Sequence, residues 1–430
     1  MEEFSRTTAP ELGIIAQVGV QEATKSVLGN GLTLYDLNAG TQDVLRIEWI
    51  FDAGSWYQPY PLIATATNSM LREGTSSMTG SEVAEKLDYY GAFLQMDSGK
   101  DVASVTLYTL SKHLESTLPI LEEVIKSSTM PEREFDAYCT NSRQQFLVEE
   151  EKVSTKARGS FNRAMYGADH PYGLQLDESA FDRVGLDAVK RHYADHYRPD
   201  RCTIVVSGKT DAGTLKLIER HFGGNDWAQS DLAPTKNVVV SNQQGKQHVL
   251  IDGAVQSALR LGRPLFDKTH VDYHGMKVLT TILGGYFGSR LMTNIREDKG
   301  YTYGIGAGIG SFRHGGHFFI ASEVGKEVTE PALNEIYLEL ARLRNEPVTN
   351  DELELVKNYM TGEFLRGLDG PFALADKLKG LLLQDLPYSF YEDYVKTINT
   401  INPSTLQDLA NTYWREESLT EVVAGAAFGQ

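Results

Sequence analysis

The predicted secondary structure runs through the same order of elements twice along the 430-residue chain. Each half begins with a strand pair, continues with a helix and a second strand pair, and ends with several helices. The pattern restarts near Gln247, which indicates an internal duplication of about 200 residues. Strands followed by helices, rather than strict alternation, are typical of the α+β class. Since the chain is also too long for one ordinary core, we predict two α+β domains.

The domain boundaries follow from composition. Residues 1–25 are polar and are predicted to form an N-terminal arm, and residues 26–227 form the first domain. Residues 228–246 are polar, include Pro234 and have few apolar anchors, so they are predicted to be a linker. Residues 247–430 then form the second domain.

The charge balance argues against two classes of partner. Lysine and arginine number 41 and aspartate and glutamate 58, which gives a net charge of −17. That charge disfavours nucleic acid and anionic membranes. An acidic chamber would favour basic peptides, although the net charge does not locate the charge within the fold.

The chain shows no sign of a membrane segment. No run of about 18 apolar residues is present, and no apolar segment follows the acidic N-terminus. Cys139 and Cys202 are expected to be buried thiols in a reducing compartment. We therefore expect a cytoplasmic location, or a periplasmic one if a leader precedes this numbering.

Two hydrogen-bond donors flank a glycine-rich stretch that begins at Leu283. An apolar helical pattern runs into Gly284-Gly285, a second short helix follows, and Gly300 is a typical helix stop. Arg296 then lies at the end of the second helix and Tyr303 at the start of a strand. By residue type alone, the arginine would cap helix carbonyls and the tyrosine would be a core residue.

The spacing of this stretch resembles a known signature. An arginine, six residues and a tyrosine after a Gly-Gly…Ser-Arg-Leu helix resemble the second half of the insulinase-like zinc peptidases, which include pitrilysin and the mitochondrial processing peptidase. Residues 51–55, 71–75 and 197–200 look like the first half of such a protein. The resemblance implies two homologous inverted-zincin domains, each an antiparallel sheet packed against helices. It also implies that Arg296 and Tyr303 hold substrate and stabilise the tetrahedral oxyanion.

The zinc motif of that family is absent at the corresponding positions. Active members carry His-x-x-Glu-His directly before a Met-Leu…Gly-Thr segment, which fixes the register here at Met70-Leu71. The ligand and base positions are then occupied by Thr65, Asn68 and Ser69, and the third-ligand position by Gln145. Neutral hydroxyls and amides do not form a tight zinc site. We predict that this chain binds no zinc and that a partner chain carries it.

Two histidine pairs and a glycine-rich strand are candidates for further sites. His192 and His196 have metal-ligand spacing on a helix with an acid between them, but a solvated or core-rim pair is the favoured interpretation. His270 and His274 receive the same interpretation. Gly304, Gly306 and Gly308 lie in a predicted strand, residues 303–310, where another backbone approaches closely, such as a substrate added as an extra strand.

The resemblance implies a non-catalytic subunit of a two-chain zinc peptidase. A homologous zinc-bearing chain would be its partner, and this chain would supply Arg296 and Tyr303 in trans, so it would be inactive alone. One alternative is a scaffold or assembly protein, since zinc-free relatives serve as subunits of respiratory complexes. Another is a self-sufficient peptidase with an atypical metal at His192 and His196.

Overall fold

A computed structural model describes residues 18–229, 238, 240 and 244–427. Most of the predicted N-terminal arm and most of the predicted linker lie outside these residues. The predicted domain boundaries at residues 25, 227 and 246 therefore stay predictions.

The first half contains six strands and eight α-helices within the described residues. In chain order they are β1 (Thr24–Val27), β2 (Thr33–Asn38), β3 (Val44–Phe51), α1 (Ile63–Met70), α2 (Gly80–Tyr89), β4 (Phe93–Ser98), β5 (Ala103–Leu110), α3 (Leu114–Lys126), α4 (Glu132–Glu150), α5 (Val153–Tyr166), α6 (Ala180–Arg183), α7 (Leu186–His196), β6 (Cys202–Gly208) and α8 (Ala212–Phe222). Thr79 and Glu82 form the capping box that starts α2, as the Thr-Gly-Ser-Glu sequence predicts.

The second half repeats this plan within its described part. Its elements are β7 (Gly245–Leu250), β8 (Gln256–Leu265), α9 (Tyr273–Thr280), β9 (Ile305–Phe312), β10 (Gly315–Gly325), α10 (Thr329–Asn345), α11 (Asn350–Arg366), α12 (Pro371–Leu382), α13 (Ser389–Thr400), α14 (Pro403–Tyr413) and β11 (Thr420–Gly425). Two π-helical segments, Thr281–Gly285 and Met292–Asp298, lie between α9 and β9.

The two sheets share one order of five strands, and the first sheet has β1 as an additional edge strand. The first sheet runs β1-β2-β6-β3-β5-β4 and the second runs β7-β11-β8-β10-β9. The pairs β2/β6 and β7/β11 are parallel, whereas the other neighbours are antiparallel. The α+β class is confirmed, but each sheet is mixed rather than purely antiparallel. The reason is that the last strand of each half returns from a helical crossover and inserts beside the first long strand.

One helix of each half packs against the sheet of the other half. Ala375 and Leu378 of α12 pack against Ile50 and Val205 on the outer face of the first sheet. Conversely, Phe161 of α5 packs in a cluster with Val422, and Ala157 with Ala258 and Ala424, on the second sheet. These exchanged helices bury apolar surface from both halves together, so the halves form one packed body.

A buried carboxylate reinforces the α12 contact. Glu48 of β3 has a side chain only 3% exposed. Its Oε2 accepts from Arg46 Nη2 at 2.8 Å, and its Oε1 accepts from Lys379 of α12. Arg46 also reaches Asp376 of α12 at 2.7 Å. The buried charge is therefore neutralised by one cation from each half.

Removing the cation that the second half supplies is expected to destabilise the fold. The Lys379→Met variant keeps the aliphatic stem but leaves one oxygen of buried Glu48 unpaired, at an expected cost of about 2 kcal/mol. Urea denaturation measures this free energy of unfolding. The exposed Lys396→Met variant is the control, and an equal effect of both variants would contradict the role given to Lys379.

No helix in the described portion of the chain is both long and apolar enough to cross a bilayer.

Candidate functional site

The helix that corresponds to the zinc helix is built around a buried amide. Asn68 on α1 is 2% exposed. Its Nδ2 donates to the carbonyls of Asp97 at 2.8 Å and Ser104 at 3.3 Å, and its Oδ1 accepts from the Tyr197 hydroxyl at 3.0 Å. Both ends of the amide are therefore engaged, and the side chain ties α1 to β4 and β5. Nothing in this arrangement can act as a general base, because the amide neither ionises nor points at solvent.

The other three positions of the degenerate motif are neutral as well. Thr65 is exposed, Ser69 is half-buried, and Gln145 is exposed on α4, which lies against α1. Tyr138 of α4 hydrogen-bonds Ser69, and burial raises the pKa of that phenol. A zinc ion prefers thiolate, imidazole and carboxylate ligands, so these residues do not fit one. Among the described residues, no group of three or more His, Cys, Asp or Glu side chains could hold a metal ion.

Arg296 and Tyr303 both lie on the surface before β9. Arg296 belongs to the π-helical segment, and its guanidinium carbon lies 4.6 Å from the ring centroid of Phe287. Gly300, at φ +65°, ends the segment, which confirms the predicted helix stop. Tyr303 is 95% exposed in the loop before β9, since the strand begins at Ile305 rather than at residue 303.

The interpretation by residue type alone, a capping arginine and a core tyrosine, is wrong for these two residues. A tyrosine with 95% exposure is not a core residue, and the arginine covers an exposed aromatic ring instead of capping helix carbonyls. Within the described residues, no hydrogen bond joins the two side chains. Their polar ends are available to a molecule outside this chain.

The glycines of β9 have two different surroundings. A Cβ at Gly308 would lie 2.7 Å from the ring of Phe319, the residue paired with it on β10. A Cβ at Gly310 would lie 2.5 Å from the paired His317 ring. Aromatic rings of the same chain therefore explain these two glycines, and the close approach to Gly308 is not that of a foreign backbone.

The glycines at the start of β9 have more space around them, although the π-helical segment Thr281–Gly285 packs against this strand. A Cβ at Gly304 would have no described atom within 4 Å, and one at Gly306 would meet only the Gly284 carbonyl at 3.6 Å. β9 is also an edge strand of its sheet, and the described residues pair it on one side only, with β10. An exposed edge offers backbone N–H and C=O groups to an incoming extended peptide.

His192 and His196 form a buried, hydrogen-bonded pair. They are 4% and 7% exposed, and their ring centroids lie 4.4 Å apart. His192 Nε2 donates to the Ala53 carbonyl at 3.1 Å and His196 Nδ1 to the Asp52 carbonyl at 2.8 Å. Burial lowers the pKa of both rings to about 4. The pair is therefore a neutral core feature that fixes the end of β3, and not a solvated one.

This pair gives a pH prediction. Because the folded pKa of about 4 lies below the ordinary value of 6.5, the stability from each neutral ring is fully present above pH 6.5 and lost as pH falls toward 4. We expect each histidine to remove about 2 kcal/mol of unfolding free energy between pH 7 and pH 5. Urea titrations of wild type and His192→Gln measure this, since glutamine keeps the donor without titrating. An unchanged pH dependence in the variant would contradict the assignment.

His270 and His274 do not form a pair. The exposed His270 ring stacks on Phe266 at a centroid distance of 3.9 Å and accepts the Asp272 N–H. His274 is enclosed by Phe390 and Tyr394, and burial lowers its pKa to about 4. Each imidazole thus has a separate structural environment.

The joint between the halves carries a polar cluster that the sequence did not predict. Asp101, 8% exposed, accepts hydrogen bonds from the Tyr172 hydroxyl and from the Arg313 backbone N–H. The Arg313 side chain binds Asp52 at 2.6 Å. His314 stacks on Trp56 at 4.0 Å. These residues are far apart in sequence, so no local pattern connects them.

Comparison with known proteins gives concordant matches. A family model described as "Peptidase M16 inactive domain" matches residues 183–360. The "Uncharacterized zinc protease YmxG" of Bacillus subtilis (strain 168) is 23% identical over 409 residues, which cover 94% of this chain and 97% of that protein. The "Non-peptidase homolog YmxG" of Helicobacter pylori (strain ATCC 700392 / 26695) is 21% identical and covers 80% of this chain and 83% of its own length.

Solved structures match the fold over almost the whole chain. A peptidase M16 inactive domain from Pseudomonas fluorescens superposes with a TM-score of 0.86 at 22% identity, covering 95% of this chain and 100% of that one. A Helicobacter pylori protease superposes with a TM-score of 0.85 at 19% identity, with the same coverage. Residues 183–360 thus match the M16 inactive domain, and the chain over most of its length is similar to insulinase-like M16 peptidases, while the His-x-x-Glu-His motif of the active members is absent from this sequence.

Proposed function

We propose that this chain is the zinc-free subunit of a two-chain peptidase and that it supplies Arg296 and Tyr303 to a reaction centre on a homologous chain. The observation that carries the proposal is the exposure of Tyr303, which is 95% accessible to solvent. A large aromatic side chain held outside every core contributes little to folding, so its phenol is available to substrate. By contrast, Asn68 at the general-base position is committed to holding α1 in place.

The two side chains suit the stabilisation of negative charge. In peptide hydrolysis the substrate carbonyl oxygen becomes an oxyanion, and a neutral phenol can donate a hydrogen bond to it. The guanidinium of Arg296 adds a positive charge beside the phenol. Donors that are aimed at developing charge account for much of the rate enhancement in such reactions.

The open edge of β9 suits the remainder of the peptide. An extended substrate could pair with the free side of β9 next to Gly304 and Gly306, where no side chain intervenes. Gly308 would contribute backbone groups only, because the Phe319 ring lies over its face. Tyr303 lies directly before this strand, so a peptide on the edge would pass the phenol.

In the proposed pair, the zinc ion is bound by the partner chain. The word "inactive" in the description of the matched domain and the name "Non-peptidase homolog" of a relative support a chain without its own peptidase centre. A homologous partner with an intact His-x-x-Glu-His motif would hold the ion that activates water. The present chain would bind and orient the peptide carbonyl.

The test is reconstitution. This chain is purified from its source cells together with any zinc-bearing chain of the same family, and the two are separated and remixed. We expect peptide hydrolysis by the mixture and none by this chain alone. A stable assembly without any His-x-x-Glu-His chain would instead support a scaffold role and contradict the proposal.

A further inference from the structure

Three cations from different elements converge near the joint of the two halves. Lys100 lies in the turn between β4 and β5, Arg158 on α5, and Arg260 on β8. Lys100 and Arg260 are half-buried, and Arg158 is exposed. In the part of the chain that the structure describes, none of the three side chains forms a hydrogen bond or an ion pair with a carboxylate. We name these three residues the cation cluster.

The sheet register places the cation cluster beside the open part of β9. Arg260 is opposite Ala321 on β10, and Ala321 is opposite Gly306 on β9. The three residues form one row across the sheet, and the two beyond Arg260 have almost no side chain. The row therefore leaves free space between the guanidinium and the edge of the sheet.

Helix α5 places the second cation on the same face. Phe161, one helical turn after Arg158, lies over Gly262, where a Cβ would come within 2.9 Å of the phenyl ring. Gly262 is two residues from Arg260 and so shares its face of the strand. Arg158 and Arg260 are consequently neighbours where α5 packs on β8.

The cations repel one another. Burial lowers the pKa of Lys100 and of Arg260, and the charge of Arg158 lowers both further. Burial also lowers the pKa of His317 to about 4, with contributions from Arg260 and Lys100. Grouping like charges in partly desolvated positions costs stability, and such positions are typical of binding sites.

The nearest carboxylates do not neutralise this charge. The charge of Asp101 raises the pKa of Lys100 but offsets only part of the lowering by burial, and the Asp101 carboxylate also accepts hydrogen bonds from the Tyr172 hydroxyl and the Arg313 N–H. Glu323 on β10 is exposed, and its charge offsets only part of the lowering of the Arg260 pKa that burial and Arg158 cause. The local charge is therefore positive, although the chain as a whole carries −17.

A buried donor next to Lys100 also has no acceptor. His170 is 2% exposed, and its Nδ1 accepts the Tyr172 N–H at 3.1 Å. The ring hydrogen is then on Nε2, which has no partner among the described residues. Lys100 is close enough to lower the pKa of this ring, after burial and His314. An unpaired N–H beside an unpaired ammonium is a setting that favours an anion.

We propose that Lys100, Arg158 and Arg260 form a carboxylate-binding subsite, so that the peptide held along β9 carries an acidic side chain or a free C-terminal carboxylate. The inference rests on the proposed function, since it names the substrate class of the same peptide-binding surface. It also reverses the expectation of basic substrates that the net charge alone suggests.

The experiment measures peptide binding to the full chain alone by fluorescence anisotropy. The probes are a labelled, C-terminally amidated peptide with one glutamate, its glutamine counterpart, and the glutamine peptide with a free C-terminal carboxylate. We expect at least one carboxylate peptide to bind about tenfold more tightly than the amidated glutamine peptide. Which of the two does so distinguishes a side-chain carboxylate from a terminal one.

Variants of the cation cluster test whether these residues cause the preference for carboxylate peptides. Arg260→Gln is expected to abolish the carboxylate preference, and Lys100→Gln, which changes a turn residue, tests the same site if the strand variant folds poorly. Arg191→Gln removes an exposed arginine on α7 and should leave the preference intact. Binding of all peptides with equal affinity would overturn the subsite and leave the proposed function standing. Binding of none would overturn both.

Discussion

The Tyr303→Phe variant of the assembled two-chain peptidase is expected to turn over peptide about a hundred- to a thousandfold more slowly than wild type. Phenylalanine removes only the hydroxyl, and Tyr303 is 95% exposed, so folding and assembly should be unaffected. The lost donor would have stabilised the oxyanion, which exists in the transition state and not in the bound substrate. The measurement is kcat and KM of the reconstituted pair, and the loss should appear in kcat.

A matched control is available on the same chain. Tyr89 on α2 is 82% exposed, so Tyr89→Phe removes a comparable surface hydroxyl away from β9. We expect this variant to retain wild-type kcat. A wild-type rate for Tyr303→Phe, in a pair that hydrolyses peptide, would refute the assigned role of the phenol.

The Asn68→Asp variant is expected to lose about 3 kcal/mol of unfolding free energy at neutral pH. The substitution keeps the shape of the side chain but replaces the donor that serves the carbonyls of Asp97 and Ser104. It also places a negative charge at a position only 2% exposed. Urea denaturation of wild type and variant measures the difference.

The loss should depend on pH in a defined direction. Burial and two facing carbonyls would raise the pKa of the new carboxyl above its ordinary value of about 3.9. A group with a raised folded pKa destabilises the fold most at high pH, and the difference from wild type should shrink as pH falls and the carboxyl becomes a donor. Asn141→Asp, on the exposed face of α4, is the control and should cost little at any pH.

The local features of the fold were predictable from sequence because their causes are local. The capping box at Thr79 depends on residues three apart, and the stop at Gly300 depends on a backbone angle that glycine adopts readily. The repeated order of strands and helices indicated the α+β class in the same way. Asn68 is assigned to the general-base position by its distance from Met70-Leu71 along the chain, which needs no long-range contact.

The long-range features were not predictable. The parallel pairs β2/β6 and β7/β11 depend on where a returning strand inserts, and no local pattern encodes that choice. The burial of His192 and His196 has no local signal either, because their partners are carbonyls more than a hundred residues away. The cation cluster has the same origin, since Lys100, Arg158 and Arg260 meet only through the exchanged helix α5.

Elemental analysis of the separated chains of the active pair shows directly which chain holds the zinc. We expect only trace zinc in this chain and stoichiometric zinc in its partner, because Thr65, Asn68, Ser69 and Gln145 offer no ligand that zinc binds tightly. Stoichiometric zinc in this chain that is lost on chelation together with peptidase activity would contradict it.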